Sequence, residues 1–476
     1  MSEFAELENK FGGRLDVTSM RDRDYKNEKV YWLRFSVGRC PICGEANGWC
    51  VTNVTGTKVI CMKRPNDHPV GQGYLYVLDD KKPVKFDAKK IVRKRTYKFA
   101  SPDKRDAMNQ LVVKYYPLSD ADRQNLHDRG LDDKHIALHP HGSFASIGKS
   151  KPQAVLSNGL YQSVWIQALE QANLRLSTWK GVMGFFGETV TDDGGRYELP
   201  FFNCTSQGML VPYYSMYNQI LGFQVRLNNP PVKAVQSTVT SSSKKTLFKI
   251  FIDKYTNQYI VKAVSSSQIR VIDTGDASGK DEIKGTYMED GKPEEYVFKL
   301  KLENKYRWIS SRNQNHGAEG YGEHMPVEVA YNDRIACLSS DDPKQKAMLD
   351  SYIHQEKGIW LTEGGLKGIV AAANLSKQLS EEQLDKYGRD VLAVAGVTSY
   401  ADFLPILKKL SVKRATIAFD MDLIENDRVL DSVYKLANLL LANDIKVYIA
   451  VWNGQQAKGI DDALTSNTKV YVSELK

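Results

Sequence analysis

No apolar run in this chain approaches the roughly 18 residues that a membrane-crossing helix needs. The opening residues, MSEFAELENK, are acidic and lack the apolar core of a secretory signal. The expectation is a soluble, cytoplasmic protein with no membrane partner. Cysteine is scarce, six in 476 residues, which excludes a disulfide-built scaffold. No internal repeat is visible. A nucleotide-motor loop is also missing. HGSFASIGKS (141–150) ends like a P-loop, but five residues rather than four separate Gly142 from Gly148. No apolar strand feeds it, and Lys151-Pro152 follows where a helix should start. The chain carries no helicase motor of its own.

What is present is ordinary in bulk. Hydrophobic residues make up 42% and charged residues 26%, which excludes wholesale disorder. The length suggests about two to four domains. Charge is unevenly placed. Residues 1–100 hold 20 Lys/Arg against 12 Asp/Glu, a surplus equal to the +8 of the whole chain. A localised basic region of this kind suits a phosphate-bearing partner.

Four of the six cysteines fall within 22 residues: Cys40, Cys43, Cys50 and Cys61. Their spacing is C-x2-C-x6-C-x10-C. The first pair, in CPICG, reads as a zinc knuckle, with a glycine permitting the tight turn around the metal. The second pair is expected on a hairpin turning at 53–58. Four thiolates make a closed structural zinc site; His68 is the competing fourth ligand. Arg39, Lys58, Lys63 and Arg64 border the site, with Trp49, Tyr74 and Tyr76 close by. Basic residues interleaved with aromatics suit single-stranded nucleic acid.

The organisation reads as a zinc-binding module over 1–80, a basic linker over 81–105 containing Arg93 and Arg95, and an α+β middle domain over 106–340. The last is expected to carry a β-rich insertion, or a long mobile loop, at about 231–300. LSDADRQNLHDRGLDDKHIALH predicts helix, turn at Gly130 and helix, with Ser119 as N-cap. GMLVPYYSMYNQILGFQVRLNN predicts two strands about a turn at Asn218.

From 350 to 476 the pattern alternates strand and helix. GIWLT, VLAVAGV, ATIAFD and IKVYIAVW are near-continuous apolar strands, the mark of a parallel sheet covered on both faces. Ligands of such sheets bind beyond the carboxyl ends of the strands. Acidic residues gather at those ends: Glu363 after the first strand, Asp420 and Asp422 after the third, Asp461 and Asp462 beyond the fourth. Carboxylates converging on one edge repel unless cations lie between them. Mg²⁺, a hard ion taking oxygen ligands and phosphate, is the natural candidate.

EGGLKG, then FDMD, then KGIDDAL resembles a toprim domain, the fold shared by bacterial replicative primases, type IA and type II topoisomerases and certain nucleases. With the CPICG zinc module ahead of it, the chain is similar to the toprim primases of phages, plasmids and other mobile elements. Leu126, Arg129, Gly130 and Leu131, the VPYY…GFQVRL segment and YRWISS (306–311) extend the resemblance through the middle region. It implies an α/β fold: a C-terminal toprim (Rossmann-like parallel sheet) domain, an α+β middle domain and a small zinc-ribbon-like module.

The implied activity is a DNA primase making short RNA primers on a single-stranded DNA template by Mg²⁺-dependent nucleotidyl transfer, with Mn²⁺ as a substitute. Glu363, Asp420 and Asp422 would be catalytic, and Asp461 and Asp462 would complete the metal site. Lys367, Arg226 and Arg307 would meet the triphosphates of incoming nucleoside triphosphates, and Arg64, Arg93 and Arg95 the DNA. A separately encoded replicative helicase would be the partner. The alternatives are a toprim-type nuclease using the same carboxylates, or a non-catalytic single-stranded-DNA-binding replication protein. Two departures stand out. The zinc module is all-cysteine with its own spacing, and Gly365 and Lys367 replace the residues that replicative primases carry after the glutamate.

Overall fold

The structure, a computed structural model, describes residues 5–13, 15–23, 29–35, 39–45, 50–70, 73–78, 97–140, 142–148, 152–241, 246–253, 256–264, 269–289, 291–312, 314–318, 325–421 and 427–475. Asp422, Arg93, Arg95 and Trp49 lie outside the described residues. The chain divides into two compact units. The first comprises 1–94, 247–251 and 260–273; the second comprises 95–246, 252–259 and 274–476.

The first unit is built on a six-stranded antiparallel sheet. Its order is Leu15–Arg23, Lys29–Phe35, Val51–Asn53, Lys58–Cys61, Gly73–Val77, Pro69–Val70. The hairpin over 53–58 forms because Asn53 folds the turn around its own side chain. Its Oδ1 accepts from the amides of Thr57 and Lys58, both at 2.9 Å, and Gly56 takes φ +64°. Phe11 and Phe35 meet edge to face, and with Leu15, Leu33 and Val59 they enclose Cys40, Cys50 and Cys61 in a small core.

The second unit is organised around two main sheets, with helices between and around them and smaller sheets beside them. The middle sheet is antiparallel, in the order Tyr306–Trp308, Ile220–Leu227, Gly208–Tyr214, Ala145–Ile147. Gly208–Tyr214 is buried along its whole length. Helix Pro102–Tyr115 packs on the neighbouring strand Ile220–Leu227, pinned by Asp106, which accepts from the Ile220 amide at 2.7 Å, and by Asn109, which donates to the Ile220 carbonyl at 2.8 Å. The turn at Asn218 is left-handed, φ +58°, and its buried amide donates to the carbonyls of Ile335 and Leu338. Ser119 caps helix Asp120–Asp128, accepting from the Asp122 amide, and Gly130 turns the chain at φ +86° into the short helix Asp133–Ile136.

The stretch 231–300 is strand-rich. Val232–Ala234, Lys292–Leu302 and Glu282–Glu289 form an antiparallel sheet, on which Tyr296, Phe298 and Leu300 alternate inward.

The C-terminal sheet has six strands in the order Glu328–Ala330, Val391–Val394, Lys357–Glu363, Val412–Ile417, Lys446–Val451, Tyr471–Glu474. The central four are parallel and the two edges antiparallel. Both faces are covered. Ile359, Leu361, Leu392 and Ile417 pack against Phe403, Leu407, Leu436 and Leu440 on one side. Trp360, Val391 and Ala450 pack against Ala371, Leu375, Ile460 and Leu464 on the other. Helix Gly365–Gln378 also turns Leu366 and Val370 toward Met209, Val211 and Leu126 of the middle region, so it is shared between two cores. No helix among the described residues is long and apolar enough to cross a membrane.

Candidate functional site

Two constellations carry chemistry, one in each unit. In the first, the ligand atoms of Cys40, Cys43, Cys50 and Cys61 all lie within 4.8 Å of one another. His68 is not part of the group. The knuckle closes where the Gly44 amide donates to the Cys40 carbonyl at 2.8 Å, with Gly44 at φ +77°. Backbone amides of Met62 and Arg64 donate to the sulfurs of Cys50 and Cys61 at 3.4 and 3.3 Å. Such N–H···S bonds favour thiolate. The Cys40 thiol is lowered to about 5, chiefly by the Cys50 hydrogen bond and with help from the Cys43 and Ile42 amides, against the cost of burial. Cys50, donating to Cys40 in a buried place, is pushed up instead. Four soft, crowded and mostly buried sulfurs can hold a metal such as zinc, closed to other ligands. Around it, Arg39 and Arg64 are exposed, and Lys63 is ion-paired with Glu45.

The second constellation lies at the carboxyl ends of the parallel strands. Glu363 ends its strand, and Gly364 turns at φ +83° into helix Gly365–Gln378. Tyr213 fixes this corner from the middle sheet. Its hydroxyl accepts from the Gly365 amide at 3.1 Å and donates to Gln224 at 3.0 Å, and a Cβ on Gly365 would sit 2.7 Å from its ring. Thr362 donates to the Ala418 carbonyl at 2.9 Å, which sets the Glu363 strand in register with the chain leading to Asp420.

The carboxylates are interleaved with cations. Lys367 Nζ bonds Asp420 Oδ1 and lies 3.7 Å from Glu363 Oε1. Lys458 Nζ stands 3.7 Å from Asp420 Oδ2, and Arg129 Nη1 stands 3.7 Å from Asp461 Oδ2. Burial pulls the Lys367 ammonium down, but Asp420 and Glu363 outweigh it and its pKa is raised. Asp461 is almost fully buried, and its Oδ1 has no hydrogen-bond partner among the described residues. Burial and the neighbouring Asp462 raise its pKa. Gly459 closes the floor: a Cβ there would collide with Asp461 Oδ1 and sit 3.3 Å from Asp420 Oδ1.

Glu363, Asp420 and Asp461 are thus brought together around Lys367. Asp462 is turned aside to cap its helix, accepting from the Gly459 amide at 3.3 Å. Arg226 and Arg307 lie on opposite faces of the middle sheet. Arg226 pairs with Tyr306 and Met209 on the face toward Leu366 and Val370, whereas Arg307 pairs with Val225 on the other. Lys305 joins Arg226: burial, then the charges of Arg226 and Arg129, lower its pKa.

Arg129, Lys305, Lys458 and Tyr213 are absent from the residues that sequence reasoning assigned to the site. The local signals were the R-G turn, the Lys beside YRW, the Lys that opens KGIDDAL and the first Tyr of VPYY. Arg129 arrives because Gly130 packs against Thr465, where a Cβ would come within 2.5 Å, and because Asn374 donates to the Gly130 carbonyl.

Residues 352–471 match the family model of a domain of unknown function, DUF3854. No curated protein matches the chain. The matched segment contains Glu363, Lys367, Asp420 and Asp461, and it excludes the Cys cluster and the Arg129, Arg226 and Lys305 group.

Proposed function

We propose that this chain is a toprim-type DNA primase of a mobile element, extending short RNA primers on single-stranded DNA. The observation that carries the reading is the gathering of Glu363, Asp420 and Asp461 at the strand ends, with Arg129, Arg226 and Lys305 grouped beside them. Acidic oxygens next to a basic cluster suit a metal-bound triphosphate.

The donor set fits Mg²⁺: hard oxygens, and a buried Asp461 oxygen that lacks a partner. Glu363, Asp420 and Asp461 would hold the ion, and Asp422 follows two residues after Asp420. When bound, such an ion lowers the pKa of an attacking hydroxyl and stabilises a pyrophosphate leaving group. Arg129, Arg226 and Lys305 would hold the phosphates in line and neutralise charge that develops on them. The zinc module, with its basic rim, would track the template strand.

The deciding experiment is primer synthesis on single-stranded DNA with labelled nucleoside triphosphates and Mg²⁺. Short products are expected from the wild-type chain and none from Asp420→Ala, with DNA binding retained. Shortening of the DNA instead would favour a nuclease. DNA binding with neither activity would favour a non-catalytic replication protein.

A further inference from the structure

We propose that Lys367 is the resident counter-ion of the carboxylate site, which a divalent cation must displace before it can bridge Glu363 and Asp420. The inference rests on the metal-binding part of the reading above, not on primer synthesis.

The Lys367 ammonium occupies the space between two carboxylates that would hold an ion. It bonds Asp420 Oδ1 and stands 3.7 Å from Glu363 Oε1. Its placement is built in. Lys367 lies three residues beyond the left-handed Gly364, on a helix whose first amide is tied to Tyr213. Its stem runs past Gly459, where an added Cβ would stand 3.5 Å from Lys367 Cδ. The side chain is three-quarters enclosed, at 27% exposure.

An ammonium and a divalent ion cannot share that position. At contact distance their repulsion is strong even in a well-screened protein. The lysine stem is long and flexible enough to swing the charge away, and a displaced ammonium is best received by an anion that arrives with the metal. The ligand class this selects is a metal–polyphosphate complex, in which the phosphates take over Lys367 while the metal takes over its carboxylates. Free divalent ions should bind weakly.

The test is Mn²⁺ titration of the full-length, zinc-loaded chain by calorimetry, without nucleotide or DNA. Lys367→Met is expected to bind Mn²⁺ at least about tenfold more tightly than the wild type. Adding Asp420→Asn to it should remove the gain, which places the ion at this site. Lys367→Gln keeps a donor to Asp420 without the charge, and it carries the test if the Met variant does not fold. Thermal melts give an independent readout. Without added divalent ion the variant should be less stable than wild type and recover with Mn²⁺, whereas the wild type should respond little. Unchanged or weaker Mn²⁺ binding in both variants overturns the proposal. A protein that makes no primers but shows the tenfold gain keeps this inference and loses the polymerase reading.

Discussion

Gly459 has no room for a side chain, although its φ of −99° is open to any residue. A Cβ would collide with Asp461 Oδ1, and Asp461 is too buried to swing out. Gly459→Ala should therefore cost about 1–3 kcal/mol, read by urea unfolding, as overpacking does. Glu328 makes the opposite kind of prediction. It is fully buried; one carboxylate oxygen accepts from the Tyr214 amide at 2.8 Å and the other has no partner among the described residues. Burial raises its pKa well above the usual 4.5. The folded state then holds a proton that the unfolded state releases above about pH 4.5, so Glu328 weakens stability progressively as pH rises through that window. Glu328→Gln should be more stable than wild type at neutral pH and indistinguishable from it below pH ~4. Single residues at the site were legible only where chemistry and position coincided. Glu363 and Asp420 come at the ends of apolar strands, so their convergence could be read directly, and Asp461 opens a helix beyond the fourth strand. For Lys367 the sequence shows the charge but not that the helix aims it at Asp420. Arg307 sits one residue from the register that faces the site, and strand parity was not visible until the pairing with Val225 was known.

Among elements, the turn at 53–58 shows how far one side chain can shape a hairpin. Asn53 is buried, accepts from two amides and donates to Thr55 and Thr57. Asn53→Ala should loosen the arm that presents Cys61. The expected result is faster zinc loss to a chelator, followed with a colorimetric zinc dye, and an unchanged release rate would contradict it. Removing zinc altogether should unfold the cysteine core and leave the parallel sheet in place, visible as two separate melting transitions. The four parallel strands were legible as long apolar runs. The edge strands Glu328–Ala330 and Tyr471–Glu474 were not, because one is three residues long and the other is largely exposed. The alternation in Lys292–Leu302 is plain in sequence, yet its neighbours are rich in Ser, Thr and Lys, and strand and loop could not be separated there on composition alone.

At the scale of the whole molecule, charge is the guide. The surplus of +8 within the first hundred residues predicts that the proposed binding of single-stranded DNA weakens steeply with salt, at least tenfold between 50 and 200 mM. A flat salt titration would contradict it. How the middle sheet and the C-terminal sheet combine was the least legible part, since Arg129 meets Asp461, and Tyr213 meets the Gly365 amide, across long stretches of chain. The helix Gly365–Gln378 makes that union physical. One stripe of it, Leu366 and Val370, belongs to the core containing Met209 and Val211; another, Ala371 and Leu375, belongs to the parallel sheet. The segment that matches the family model, 352–471, therefore cuts through a core shared with the middle region. Excised at those boundaries it would bare an apolar helix face to water and lose the strand that guards one sheet edge. Insoluble fragments are the expected outcome, and a soluble, folded 352–471 fragment would contradict it.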